Sequence, residues 1–224
     1  MARESVESAF VSTAGGSRDS RRRMSSKRTN RRTESLGSVS MVVPLLSDRD
    51  LLGAVLDNLA RWQGLFGYAQ MIFVDCGSAD GTVPELMKLL PESGLDYKLL
   101  QLPAGSGLAA GMAAGLSAAG GNTVVLYEPD AVVAAADIAH TIAALQRSRA
   151  EMALAVTDAR RTARLRRGRL GSRLDEGKQE HLGLSVFRRA GVDLVIDGLK
   201  ASIAGVKGPD LRRVRTIEVP VTPS

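Results

Sequence analysis

Two carboxylates stand one residue apart in Glu128-Pro129-Asp130, directly after the apolar run TVVLY at 123–127. At the end of a buried strand both side chains of such a pair can reach one hard cation, because Mg2+ and Mn2+ take oxygen ligands and bridge to diphosphate oxygens. On the tripeptide alone, a turn that uses Pro and Asp as stop signals is the plainer reading. A second acidic turn, Asp75-Cys76-Gly77-Ser78-Ala79-Asp80-Gly81-Thr82, follows the apolar run Met71-Ile72-Phe73-Val74. In an open α/β sheet the carboxyl end of a strand is where ligands bind. The third feature is cationic: Arg160, Arg161, Arg164, Arg166, Arg167, Arg169 and Arg173 lie between Ala159 and Leu174 without a single acid. The guanidinium fork suits phosphate, and each cation near an anionic bilayer surface contributes about 1 kcal/mol. A solvated loop would have the same composition.

The elements that must present these residues read as strands alternating with helices. Residues 38–46 (SVSMVVPLL) form a first strand, ended by Pro44. Ser47 or Asp48 can then cap a helix whose Leu52, Val55, Leu56 and Leu59 share one face. Residues 69–74 are a second strand. After the acidic turn, Thr82 with Glu85 three positions on and Pro84 in the first turn is a capping box, opening a helix that carries Val83, Leu86, Met87 and Leu90. Residues 97–102 give a third strand.

From Gly105 to Gly121 the chain is rich in Gly and Ala. Such a helix start suits close approach to a ligand or to a neighbouring backbone, and plain packing of small residues explains it as well. A dinucleotide fingerprint would follow the first strand, which here opens into Pro44-Leu45-Leu46-Ser47 instead. Further on, a helix bears Ile138, Ile142 and Leu145. Residues 152–156, 181–187 and 216–221 are strands, and a helix over 190–199 precedes the last of them. Alternation of this kind predicts a largely parallel sheet with right-handed crossovers.

At 224 residues, with 44% hydrophobic content, the chain holds one sizeable domain, or one domain and a tail. The net charge of +6 is unevenly placed: residues 1–37 hold nine Lys/Arg against four Asp/Glu, which leaves the rest at +1. That Ser/Arg-rich stretch lacks apolar periodicity and is predicted to be a disordered tail. An arm for nucleic acid or anionic lipid, a targeting peptide and a plain solvated extension all fit it. An aromatic content of 4% argues against a base-stacking platform, so nucleic acid is an unfavoured partner. One cysteine and two histidines allow neither an internal disulfide nor a zinc spacing, which suits a reducing cytoplasm. No run of about 18 apolar residues occurs, so any membrane association is expected to be peripheral, at the inner surface.

Taken in order, residues 38–224 resemble the family 2 glycosyltransferases of the GT-A fold, most closely the branch that transfers a sugar to a polyprenyl phosphate. The acidic turn VDCGSADGT is similar to that family's VDDGSTDGT signature, with Cys76 in place of the second aspartate. Pro44 to Asp48 stands where the branch has a PVYNE-like turn, without its tyrosine. Gly115-Leu116-Ser117-Ala118-Ala119-Gly120 matches a GL-x-x-A-x-G segment, Glu128-Pro129-Asp130 the DxD metal motif, and Glu218-Val219-Pro220-Val221 a late EVPV strand.

The resemblance implies an α/β, Rossmann-like three-layer sandwich over 38–224. It also implies a GDP- or UDP-sugar donor held through Mg2+ or Mn2+, and transfer with inversion to a lipid phosphate or similar anionic acceptor. Residue by residue, it places Pro44, Asp48, Asp75, Cys76 and Glu128 at the nucleotide and Glu128 and Asp130 at the metal. Asp130 and Arg160 then fall at the reacting centre, and Arg164, Arg166 and Arg167 at the acceptor phosphate or membrane surface. Cys76, and Glu128 with its extra methylene, also allow an inert scaffold of the same fold that binds or assembles without transferring. A nucleic-acid-associated protein using the basic tail is the remaining alternative. The sugar, the acceptor and the oligomeric state are not legible at this level.

Overall fold

The computed structural model describes residues 11–13, 38–66, 69–131, 133–158, 179–206 and 214–221. Among these residues eight strands form one sheet: β1 (Val11–Thr13), β2 (Val39–Leu45), β3 (Ala69–Asp75), β4 (Tyr97–Gln101), β5 (Thr123–Tyr127), β6 (Met152–Asp158), β7 (Gln179–Arg188) and β8 (Thr216–Pro220). Their order across the sheet is β1-β4-β3-β2-β5-β7-β6-β8. Six strands run one way; β1 and β7 run against them. The parallel set β4-β3-β2-β5 is the region that alternation of strand and helix predicts, and β7 is an antiparallel insertion between β5 and β6.

Among the described residues five α-helices cover the two faces: α1 (Leu52–Phe66), α2 (Thr82–Ser93), α3 (Gly107–Ala118), α4 (Ala135–Arg147) and α5 (Arg189–Ile203). The pleat sorts the continuous apolar runs of β2 and β3 onto these faces, as expected for strands buried on both sides. Met41, Val43, Met71 and Phe73 join Leu52, Val55, Leu59 and Trp62 of α1, Leu86 and Leu90 of α2, and Ile138 and Ile142 of α4. Val42, Ile72 and Val74 turn the other way, to Met112 and Leu116 of α3 and Val192 and Ile196 of α5.

The Gly/Ala-rich stretch is explained by that second layer. A Cβ at Gly115 would collide with Val42 and one at Gly111 with the Cys76 sulfur, so α3 lies closer to β2 and β3 than side chains would allow. Close packing against a neighbouring strand is therefore what the small residues do.

Three boundaries differ from the sequence expectation. Pro44 does not end β2, which continues to Leu45, with Pro44 level with Val74. Leu45 O accepts from Cys76 N on the β3 side, so Pro44 faces β5, where the β2–β5 ladder has already stopped at Val42 and Leu126. A missing N–H is tolerated there. The Thr82/Glu85 capping box does not form either: Gly81 is the cap residue of α2, and Asp80 Oδ1 accepts from both Thr82 N and Thr82 Oγ1. Finally, Val11–Thr13 lies inside the stretch read as a tail, yet it pairs with β4. Other residues of 1–37 lie outside the described set.

Arg188, at the end of β7, fastens the antiparallel insertion to α4. Its guanidinium donates to Leu145 O, Gln146 O, Ser148 O and Ala150 O at 2.8–3.2 Å. These carbonyls lie at and just past the C-terminus of α4, where a cation also complements the helix dipole.

Candidate active site

The carboxyl ends of β2, β3 and β5 lie side by side, because β3 and β5 each pair with β2 in parallel. Leu45 is level with Asp75, and Val42 with Leu126, one residue before the end of β5. Asp75 and the Glu128/Asp130 pair therefore stand at the carboxyl ends of the two strands that flank β2, on the same side of the sheet. Three carboxylates at these strand ends are nearly withdrawn from solvent: Asp48 is 6% exposed, Asp75 5% and Glu128 3%. Asp130 is half-buried. Buried carboxylates are costly without hydrogen bonds or counter-charge, so their gathering at one edge marks that edge as chemically specialised.

The loops after β2 and β3 are stitched into a single surface. Four successive N–H groups of the first loop donate to side-chain oxygens: Leu46 N to Asp48 Oδ2 at 2.7 Å, Ser47 N to Ser78 Oγ at 3.0 Å, Asp48 N to Thr82 Oγ1 at 3.1 Å and Arg49 N to Asp80 Oδ2 at 3.2 Å. In the second loop Ser78 N donates to Asp75 Oδ1 at 3.0 Å, which turns that carboxylate back over its own loop. Ser47 holds a φ of +58°, uncommon for a residue with a side chain, and these bonds over-determine it. Gly77, at φ +91°, lies so near Pro103 and Ala104 that a Cβ would come within 2.6 Å of the Pro103 carbonyl oxygen. Accepted hydrogen bonds, first of all from the Thr82 hydroxyl, hold the Asp80 carboxyl below its ordinary range.

Around Glu128 the β7 strand departs from regular pairing. Leu154 pairs with Ser185 but Val156 with His181, so β7 carries two extra residues between them. Gly183 sits in that bulge at φ +74°, and its carbonyl accepts from Glu128 N at 2.8 Å. A Cβ at Gly183 would come within 3.0 Å of Ala131 and 3.2 Å of the Glu128 Cβ. Bulges of this kind re-aim chain next to functional sites.

Among the expected site residues, Asp48, Asp75, Glu128 and Asp130 come to this edge, and Pro44 is buried within β2 beneath it. Cys76 does not face it. The pleat that turns Asp75 with Phe73 turns Cys76 with Val74, so its side chain is fully buried beneath α3, against Gly111, and is corrected from a nucleotide contact to a packing residue. Arg160, Arg164, Arg166 and Arg167 lie outside the described residues. Ser78, Asp80, Thr82 and Gly183 had no assigned role from the sequence beyond their turn and cap chemistry. The partners by which they join separate segments, Ser47, Arg49, Asp48 and Glu128, are remote in the chain, so periodicity carried no signal for them.

The donor set suits a hard cation. Among the described residues no cluster of three or more His, Cys, Asp or Glu could hold a metal ion alone. Glu128 and Asp130 offer carboxylate oxygens only, which is how Mg2+ and Mn2+ are bound when a few carboxylates share them with phosphate oxygens and water.

Comparison with solved structures defines the architecture as the GT-A fold. A mannosyltransferase from Pyrobaculum calidifontis, solved in complex with GDP-Man and Mn2+, superposes with a TM-score of 0.61 at 21% identity, over 82% of this chain and 55% of that one. Glucosyl-3-phosphoglycerate synthase from Mycobacterium tuberculosis, solved with Mn2+, UDP and phosphoglyceric acid, gives 0.57 at 17% identity, over 82% and 68%. The chain belongs to glycosyl transferase family 2, whose family profile matches residues 40–192. A curated relative, dodecaprenyl-phosphate galacturonate synthase from Rhizobium johnstonii, is 28% identical over 120 residues, which is 53% of this chain and 35% of the relative. The chain thus spans about a third of that relative's length. Among the described residues no helix is long and apolar enough to cross a membrane.

Proposed function

We propose that this chain is a glycosyltransferase that moves a sugar from a GDP- or UDP-sugar to a lipid phosphate or similar anionic acceptor, with inversion. The observation that carries the reading is the convergence of Asp75 and the Glu128/Asp130 pair on one carboxyl edge of parallel strands. Asp75 and the stitched loops offer acceptors for base and ribose. Glu128 and Asp130 would hold Mg2+ or Mn2+, which neutralises the charge that a departing nucleoside diphosphate develops. An acceptor that is already an anionic phosphate needs no strong base. The family resemblance adds Arg160 for the reacting centre and Arg164, Arg166 and Arg167 for the acceptor phosphate or membrane surface.

Support comes from family membership and from a relative named for a dodecaprenyl-phosphate product. Thermal unfolding with GDP and UDP, with and without Mn2+, tests it. One nucleotide is expected to raise the Tm in the presence of metal, and Glu128→Ala or Asp130→Ala to abolish the rise. No stabilisation by either nucleotide with metal would end the proposal. Replacing Arg164, Arg166 and Arg167 by Ala is expected to reduce sedimentation with anionic liposomes, and unchanged sedimentation would remove the membrane role.

A second reading, a GT-A scaffold that binds without transferring, is favoured by one observation: the side chain at position 76 is a buried thiol, leaving Asp75 as the only acid of that pair. Nucleotide binding without diphosphate release from any nucleotide sugar would select it.

A further inference from the structure

Between Tyr127 at the end of β5 and Ala135 at the start of α4, the described residues form no helix or strand. This segment carries Glu128 and Asp130, so its aim depends on how it is held. Ala131 N donates to Glu128 O, closing the turn, and Gly183 O takes Glu128 N from the β7 side. From α1, packed on one face of the sheet, a single side chain reaches both ends. The Asn58 amide, on α1, donates through Nδ2 to the Tyr127 hydroxyl at 3.0 Å and to Val133 O at 3.1 Å. Tyr127 immediately precedes the first acid, and Val133 follows the second by three residues.

Both anchor points are fixed. Tyr127 is 2% exposed and Val133 3%. The helix that carries Asn58 is seated by Val55, Leu59 and Trp62, all of which are fully or almost fully buried. Asparagine is a poor helix former, because its amide competes for backbone groups. In mid-helix it is expected to face solvent unless tertiary contacts reward it. Here they do.

We propose that Asn58 is a positioning residue for the cation and diphosphate subsite: by gripping the Tyr127 hydroxyl and the Val133 carbonyl together, it sets the direction of Glu128 and Asp130. The inference rests on the assignment of those two carboxylates to that subsite. Two like charges one residue apart repel, and they converge on one ion only when the backbone between them is restrained. Misplacement of about 1 Å in such a shell is enough to degrade a site.

The test is Mn2+ binding to the full chain, read by electron paramagnetic resonance as loss of the free-ion signal, in the presence of whichever of GDP and UDP the wild type prefers. Thermal unfolding of each variant is followed in parallel. Asn58→Ala and Asn58→Asp, neither of which retains the donor, are expected to weaken Mn2+ about tenfold or more. Tyr127→Phe keeps the Val133 contact and is expected to weaken Mn2+ by less. A residue with a merely structural role would lower the Tm and leave Mn2+ affinity unchanged well below that Tm. Wild-type affinity in Asn58→Ala would overturn the inference alone, because the wild type still binds. If that variant fails to fold, wild-type affinity in Tyr127→Phe overturns it. A wild type that binds no Mn2+ with either nucleotide defeats the inference together with the assignment beneath it.

Discussion

Asp80 is exposed, yet it holds two loops together. One carboxylate oxygen accepts from Thr82 N at 3.0 Å and Thr82 Oγ1 at 2.5 Å, the other from Arg49 N at 3.2 Å. These bonds favour the ionised form and lower its pKa below 3.8 in the folded state. A depressed carboxyl contributes stability above its unfolded pKa and loses it as pH falls through the folded value. Asp80→Asn is therefore expected to be less stable than the wild type at pH 7, with the gap closing below about pH 4. Urea unfolding at pH 7, 5 and 3 measures it, and a gap independent of pH would show that the charge is not what holds the loops. The same scale explains Cys76. A thiol is small and apolar enough to sit under Gly111, and a carboxylate in that place would be desolvated against α3.

At the scale of elements, the closeness of α3 to the sheet is a predictable source of coupling. Gly111→Ala gains helix propensity of about 1 kcal/mol, but the new methyl collides with the Cys76 sulfur. The net effect is expected to be a loss of about 1–3 kcal/mol. In a Cys76→Ala background the sulfur is gone, and Gly111→Ala should become neutral or stabilising; an additive double-mutant cycle would refute the contact. Arg188 is the second such joint. Arg188→Ala removes a charged donor from four carbonyls around the end of α4 and is expected to cost about 1.5–3 kcal/mol by chemical denaturation. Arg188→Lys should recover only part, because a point charge lacks the fork that spans those acceptors.

For the molecule as a whole, the sheet has one side at β4 that, among the described residues, only Val11–Thr13 covers. Unpaired strand edges template association with other chains. A chain lacking residues 1–37 is expected to keep its nucleotide response, since β1 stands apart from the carboxylate edge, and to self-associate more. Light scattering on size-exclusion fractions compares the two chains; equal mass at equal concentration would mean that β1 does not guard the edge. The carboxylates follow β3, β2 and β5, which lie two, three and four strands from β1 in the sheet order, so protection of the edge and binding of the donor are expected to be separable properties.

The order of the elements was legible because it is written locally. Buried parallel strands read as unbroken apolar runs, helices as a 3.6-residue stripe, and acids at strand ends as polar punctuation, so Asp75, Glu128 and Asp130 could be located before any coordinate. The resemblance of the whole array supplied the fold. Tertiary structure alone decided what depends on partners remote in the chain. Thr82 serves Asp48, 34 residues away, and not a capping box with Glu85. Cys76 turns beneath α3 because the pleat and Gly111 leave it that space, and β7 bulges at Gly183 to receive Glu128. Local sequence sets which conformations are cheap; which oxygen meets which N–H is settled only when distant segments compete for the same buried space.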